Sequence, residues 1–296
     1  MHEITLLSGK GGTGKTTVAA ALASISRDAV FCDADVDAAD MHLILKPEIL
    51  EEHRFESNWV AKIDDDNCTR CSKCVEYCRF DAIHYKPFGG LEINPFQCEG
   101  CRLCERICPV GAIHSEKSNN NFWYVSKTRF GTLVHAKMGA GEENSGKLVT
   151  EVRKKAMEIA KSTGARFVIT DGPPGIGCPV ISALTGTHKV LMVIEPTKSG
   201  LHDIKRLVDL ALNFEPEMYA VINKYDINTG VTNEIEKYLN ENSIKLLARI
   251  PFDTAMVEAM LKEKTMVEYQ PASPISKIIE EIWEVITKTE YVEIEG

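Results

Sequence analysis

Two sets of residues in this 296-residue chain have the types and spacing to do chemistry. The first is Gly9-Lys10-Gly11-Gly12-Thr13-Gly14-Lys15-Thr16, followed by Thr17, which satisfies GxxxxGK[ST]. Glycines in such a loop let backbone N–H groups wrap phosphate oxygens, with Lys15 reaching the terminal phosphates and Thr16 holding magnesium. The second is a run of eight cysteines. Cys68, Cys71, Cys74 and Cys78 recur thirty residues later as Cys98, Cys101, Cys104 and Cys108, and the tails FDAIHY and PVGAIHS match as well.

Each copy reads C-x2-C-x2-C-x3-C, and the second continues to Pro109. That is the spacing of bacterial two-cluster ferredoxins. Zinc sites commonly pair two CxxC elements at longer separation and need no third cysteine three residues on. The ferredoxin resemblance implies that the fourth cysteine of each run crosses over. One 4Fe-4S cluster would then use Cys68, Cys71, Cys74 and Cys108, the other Cys78, Cys98, Cys101 and Cys104. Arg79 stands where the second copy has Pro109. It keeps a backbone N–H and adds positive charge, both of which favour a reduced cluster.

Lys10, a second lysine inside the phosphate loop, makes the loop resemble the deviant Walker A class that includes MinD, ParA, Mrp and the nitrogenase iron protein. The resemblance implies that Lys10 crosses to a partner's nucleotide in a sandwich dimer, a homodimer or a heterodimer of paralogues. It also implies that Asp35, in the acidic stretch Asp33 to Asp40, positions the attacking water. Asp33 and Asp171, the latter in the Walker B position before Gly172-Pro173-Pro174-Gly175, would serve magnesium. Asp37 and Asp40 read as solvated loop charges. Asn223-Lys224-Tyr225-Asp226 spells the NKxD motif that reads guanine in GTPases, yet relatives of the deviant class use an Asn on adenine at this point. With a KGGxGK loop, adenine is weighed above guanine. Ile250 and then Pro251, Phe252 and Asp253 resemble the loop that closes over the base.

The elements that must position these residues follow from hydrophobic pattern. An apolar strand (4–7), an Ala-rich helix (15–27) and a strand (29–33) form a βαβ unit. After the cysteines, aromatic and β-branched residues suggest two strands joined near Arg129 to Gly131. Helix and strand then alternate: helix 147–161, strands 167–170 and 190–194, helix 201–212, strand 219–222, and onward to an amphipathic helix at 273–288. The expected fold is α/β, a mostly parallel, doubly wound P-loop sheet with ligands at its strand C-termini, and an inserted small α+β bacterial-type ferredoxin domain. The domains are 1–63 and 116–296 for the ATPase, and 64–115 for the insert.

Of the other cysteines, Cys32 lies in an apolar strand and reads as a buried small hydrophobe. Cys178 follows Asp171 by seven residues, the offset of an interface cluster ligand in the nitrogenase iron protein. No cysteine matches that protein's second ligand, so a structural thiol is favoured over cluster or metal transfer between symmetry-related Cys178 residues.

The net charge of −9 and pI near 5.5 disfavour nucleic acid and anionic lipid as partners. The C-terminal helix, with Glu280, Glu281 and Glu284, reads as core packing rather than a membrane helix. No apolar run approaches a membrane span, and with no export signal a cytoplasmic location is expected. Residues 64–115 carry six Lys or Arg against eight Asp or Glu, which suits a partner with a basic dock.

The expected cofactors are ATP, Mg2+ and two 4Fe-4S clusters. The expected function is an ATP-hydrolysing dimer whose nucleotide state governs electron transfer to a redox partner. The alternatives are an Mrp-like carrier handing clusters to an acceptor and a MinD- or ParA-like positioning ATPase.

Overall fold

The computed structural model describes residues 1–56, 59–118, 120–139 and 146–288. The chain divides into two compact units. One is built on Met1–Glu52, Tyr124–Ala136 and Asn144–Gly296, the other on His53–Trp123 and Lys137–Glu143.

The first unit begins with β1 (His2–Ser8), α1 (Lys15–Ile25), β2 (Ala29–Asp33), α2 (Met41–Leu45) and β3 (Glu48–Phe55). The second unit then holds β4 (Trp59–Ile63), α3 (Lys73–Tyr77), β5 (Ile83–Tyr85), β6 (Leu91–Ile93), α4 (Leu103–Ile107) and β7 (Ile113–Lys117). The chain continues through β8 (Asn121–Lys127), β9 (Thr132–Lys137), α5 (Lys147–Thr163), β10 (Phe167–Pro174), α6 (Cys178–Leu184) and β11 (Lys189–Ile194). It ends with α7 (Lys198–Ala211), β12 (Glu217–Asn223), α8 (Thr229–Glu241), β13 (Lys245–Ile250), α9 (Thr254–Leu261), α10 (Met266–Tyr269) and α11 (Pro274–Thr287).

Nine strands form one sheet in the order β13-β12-β11-β1-β10-β2-β9-β8-β3. From β13 to β9 every neighbouring pair is parallel. The central strands are buried on both faces, as a sheet covered by helices on two sides requires: β1 is buried from Ile4 to Ser8 and β11 throughout. Parallel strands put their C-terminal ends on one edge, so Ser8, Asp33, Pro174, Ile194, Asn223 and Ile250 end on that edge, with Asp171 beside Asp33 in the ladder. That edge is where an open α/β sheet binds ligands.

Helix α1 owes its close approach to the sheet to small side chains: Val18 through Ala23 are fully buried. Helix α11 starts at the Ser273 cap, whose hydroxyl accepts from the Ser276 N–H, with Pro274 in the first turn. It buries Ile275, Ile279, Ile282 and Ile286 in the same core as α1. Each isoleucine contributes about 1.5–3 kcal/mol of burial, so α11 is a core element.

The strands expected on either side of Arg129 are β8 and β9, joined by a turn in which the Thr128 N–H donates to Gly131 O (2.8 Å). A turn that short returns the chain antiparallel. The edge strand β3, with sequence EILEEHRF, has no counterpart in the sequence reading. Its exposed charges carry no alternating apolar signal, and they suit an edge that must not pair with another chain. Among the described residues, no helix is long and apolar enough to cross a membrane.

In the second unit β4 pairs antiparallel with β7 (Ile63 opposite Ile113), and β5 with β6 (Ile83 opposite Ile93). Ala61, Cys74, Ile83, Leu91 and Ile113 form its core. The thirty-residue repeat extends to the backbone. Arg70 and Gly100, Ser72 and Arg102, Asp81 and Gly111 are three pairs at that spacing, all left-handed. At Gly100 the choice of residue is forced, because a Cβ there would collide with the Trp59 carbonyl. The cysteine pattern marked residues 64–115, whereas the compact unit starts at His53. Strand β4, which precedes the first cysteine, supplies half of the β4–β7 ladder.

Candidate functional site

The loop Gly9–Gly14 links β1 to α1. Gly14 is left-handed (φ 91°), and a Cβ there would strike the Asn223 amide, so the turn into the helix requires glycine. No side chain caps α1, which leaves its first N–H groups facing the cavity, an arrangement that favours an anion.

Lys15, only 4% exposed, donates from Nζ to Asp171 Oδ1 (2.8 Å) and Asp35 Oδ2 (3.3 Å). Burial works against its charge, but Asp171 and then Asp35 outweigh it and hold the lysine above its ordinary pKa. Asp33 at the end of β2 and Asp171 within β10 are register partners, and both are fully buried. Asp33 accepts from the Asp35 N–H (3.3 Å) and the Met41 N–H (3.0 Å). Burial, and next to it the Asp171 charge, push Asp33 well above the carboxylate range. Asp35 is raised to about 6, chiefly by burial, with Lys15 pulling the other way.

Three carboxylates therefore share one lysine. Asp171 Oδ2 and Thr13 Oγ1 are buried without a hydrogen-bond partner among the described residues. Surplus buried oxygen at the mouth of a phosphate loop fits a hard divalent cation such as Mg2+. Thr16 lines the same cavity, as do Asp35, Asp37 and Asp40, while the Thr17 hydroxyl faces the Met260 sulfur (3.5 Å).

Lys10 turns the other way. Its Nζ reaches Thr197 Oγ1 (3.0 Å) and Glu195 Oε2 (3.0 Å), with Ser199 Oγ at 3.5 Å. Glu195 also takes Lys224 Nζ at 2.8 Å. Burial opposes the Glu195 charge, yet the two lysines hold its pKa below the usual value.

Asn223 is buried and donates to Thr13 O (2.7 Å), clamping the phosphate loop from the end of β12. Asp226 Oδ1 accepts from the Phe252 N–H (2.7 Å). Asp253 caps α9 by accepting from the Ala255 N–H (2.8 Å). Pro251, Phe252 and Asp253 face the loop glycines and Lys15 across a cavity of about 530 Å³, a volume typical of a small-ligand site.

In the second unit, Cys68, Cys71, Cys74 and Cys108 line one pocket, and Cys78, Cys98, Cys101 and Cys104 line another. Cys78 Sγ accepts from the Ala82 N–H (3.4 Å) and Cys108 Sγ from the Ala112 N–H (3.2 Å), the same contact in each repeat. Burial pushes the Cys104 thiol up to about 11, and Cys98, Cys101 and Cys78 add to the rise. Among the described residues, no three Cys, His, Asp or Glu side chains stand close enough to bind a single metal ion. A cubane makes a different demand, since each thiolate binds its own iron and the four ligands stand apart. Four thiols around one pocket fit that donor set. Cys32 is fully buried, and burial raises its thiol well above the ordinary value. Cys178 is exposed at the start of α6.

Residues 4–266 match the CobQ/CobB/MinD/ParA nucleotide-binding domain. The chain belongs to this family of P-loop ATPases. An uncharacterized protein of Methanocaldococcus jannaschii is 33% identical over 288 residues, 95% of each chain. The septum site-determining protein MinD from Pyrococcus horikoshii, solved with Mg-ADP, shares the fold with a TM-score of 0.57 at 21% identity, covering 97% of this chain and 96% of that one. A shorter match, 34% identical over 79 residues, is to an Hdr-like menaquinol oxidoreductase iron-sulfur subunit of Archaeoglobus fulgidus. It covers 21% of this chain and 29% of that protein.

Sequence reasoning did not single out Glu195, which joins Lys10 to Lys224, or the clamp from Asn223 to Thr13. Glu195 follows directly on the apolar run of β11, and a lone acid at a strand's C-terminal end was the available signal.

Proposed function

We propose that the chain is a MgATP-hydrolysing dimer whose nucleotide state controls electron transfer through two 4Fe-4S clusters held by an inserted ferredoxin domain at residues 64–115. The observation that carries this reading is the sorting of eight cysteines into two pockets of four, in a chain that also has a complete P-loop site. The iron-sulfur subunit among the relatives adds support. The clusters, when bound, would take up and release single electrons.

The remaining roles fall to the chain's own side chains. Lys15, Thr13 and the N–H groups of α1 hold the phosphates, and Thr16, Asp33 and Asp171 serve Mg2+. Asp35, raised to about 6, orients the attacking water in its ionised form. Lys10 is 30% exposed and held by surface partners, so it can exchange them for the nucleotide of a second copy or of a paralogue. Adenine is favoured over guanine because the phosphate loop is of the KGGxGK type.

A second reading, delivery of clusters to an acceptor, is favoured by one observation: Cys71 and Cys101, one in each set of four, are exposed. Anaerobic turnover separates the two. The reconstituted protein is incubated with MgATP and a cluster-free ferredoxin, and the iron in each protein is measured after many turnovers. Electron transfer predicts that the iron stays with this chain. Its movement to the acceptor supports the carrier, and absence of ATP hydrolysis defeats both.

A further inference from the structure

The NKxD motif retains one residue whose part in nucleotide binding is open. Asn223, Lys224 and Asp226 each tie down a different piece of the site. Asn223 holds the phosphate loop at Thr13 O, and Lys224 reaches Glu195 and, at 3.4 Å, Gly12 O. Asp226 holds the Phe252 N–H. Its direction is set locally. Lys224 is left-handed (φ 55°), the next three residues make a 3-10 turn, and the Thr232 hydroxyl pins that turn by donating to Tyr225 O (2.8 Å).

A carboxylate that reads guanine must accept from two donors on the ring at once, which needs both oxygens facing the base. Here one oxygen is committed to the backbone of the loop that lines the cavity opposite the phosphate loop. That loop is fixed at its other end by the Asp253 cap, while the Phe252 ring stands 51% exposed beside the cavity with apolar surface a base can cover.

We propose that Asp226 is a positioning residue for base specificity: it latches the Pro251–Asp253 loop in place and is thereby withheld from guanine. This rests on the adenine reading above and assigns the side chain that enforces it. The latch needs only an acceptor. An asparagine oxygen can replace the carboxylate oxygen toward Phe252 N–H, whereas alanine cannot.

The test measures equilibrium binding of ATP, GTP and inorganic tripolyphosphate, each with Mg2+, to the full anaerobic chain and to Asp226→Ala and Asp226→Asn. Loss of one hydrogen bond to a carboxylate should weaken ATP by about tenfold in Asp226→Ala. Tripolyphosphate binding should not change, which also shows that this variant is folded. Asp226→Asn should bind ATP like the wild type and gain no affinity for GTP. Equal ATP loss in both variants, or none in Asp226→Ala, overturns the latch. If Asp226→Ala does not fold, ATP weakened in a folded Asp226→Asn overturns it and wild-type affinity there upholds it. A wild type that prefers GTP defeats the adenine reading instead, a separate failure visible before any variant is made.

Discussion

The two lysines of the phosphate loop sit in opposite electrostatic circumstances, and replacing each by methionine should separate them. Lys15 is 4% exposed and, among the described residues, is the only lysine on two buried carboxylates, Asp171 at 2.8 Å and Asp35 at 3.3 Å. Removing one partner of a buried ionic group leaves charge uncompensated and costs about 3–5 kcal/mol. Lys15→Met should therefore lose about that much unfolding free energy near pH 8. Lys10, 30% exposed against Glu195, should lose less than about 1 kcal/mol when changed to Met.

The Lys15 penalty should also depend on pH. Burial raises Asp35 to about 6, so between its ordinary value of 3.8 and about 6 the folded chain holds a proton that the unfolded chain releases. Stability from that proton is complete at low pH and is lost as pH rises through about 6. The Lys15 pKa is itself raised, so the stabilisation it gives is intact near pH 8 and is lost only as pH climbs past its folded value. Near pH 5 Asp35 is protonated and needs the lysine less, and the penalty should shrink. The assay is anaerobic denaturant unfolding of the nucleotide-free protein, followed by circular dichroism at both pH values. Equal penalties for the two lysines, or a Lys15 penalty that grows on acidification, would refute the assignment of Lys15 as the counter-charge of this site.

Asp35→Asn should bind MgATP within about threefold of the wild type while hydrolysis falls by about 100-fold or more, measured by equilibrium binding and phosphate release. In the wild type kcat/KM for ATP should decline as pH falls through about 6, where Asp35 takes up its proton. Cys74→Ala should lose about half of the bound iron and leave MgATP affinity unchanged, because its pocket belongs to the second unit; nucleotide affinity falling in step with iron would contradict that separation. Arg79→Pro should bring the two cluster potentials closer together in a redox titration, since it removes the one difference in residue type directly after the fourth cysteines.

What was legible in the sequence was chemistry fixed by residue type at short spacing. The phosphate loop, the two cysteine runs and the acids that follow the apolar runs of β2 and β10 all declare themselves within a few residues, and apolar runs located the central strands. Strand β10 runs four residues beyond its apolar run, through Asp171 to Pro174, because its ladder to β1 continues to Pro174. The polar ties between distant segments were not legible. Asn223 was read as a base contact, and the tie of its amide nitrogen to Thr13 O, 210 positions away, was not foreseen. Asp253 was read as a nucleotide contact, and its further part as the cap of α9 at the cavity wall was not foreseen. Such pairings depend on which strand ends the topology brings together. The β11-β1-β10 arrangement is not encoded in any local pattern.

The central claim is that nucleotide and cluster redox states are coupled, and potentiometric titration tests it directly. Both clusters would be titrated anaerobically by electron paramagnetic resonance, with and without MgATP, in the wild type and in Lys15→Met, whose cluster signals report that it is loaded and whose circular dichroism reports that it is folded. A one-electron shift of about 59 mV corresponds to a tenfold coupling between nucleotide affinity and redox state. The account predicts a MgATP-dependent shift of at least one cluster in the wild type and none in Lys15→Met. Potentials in the wild type that are identical with and without MgATP would contradict it.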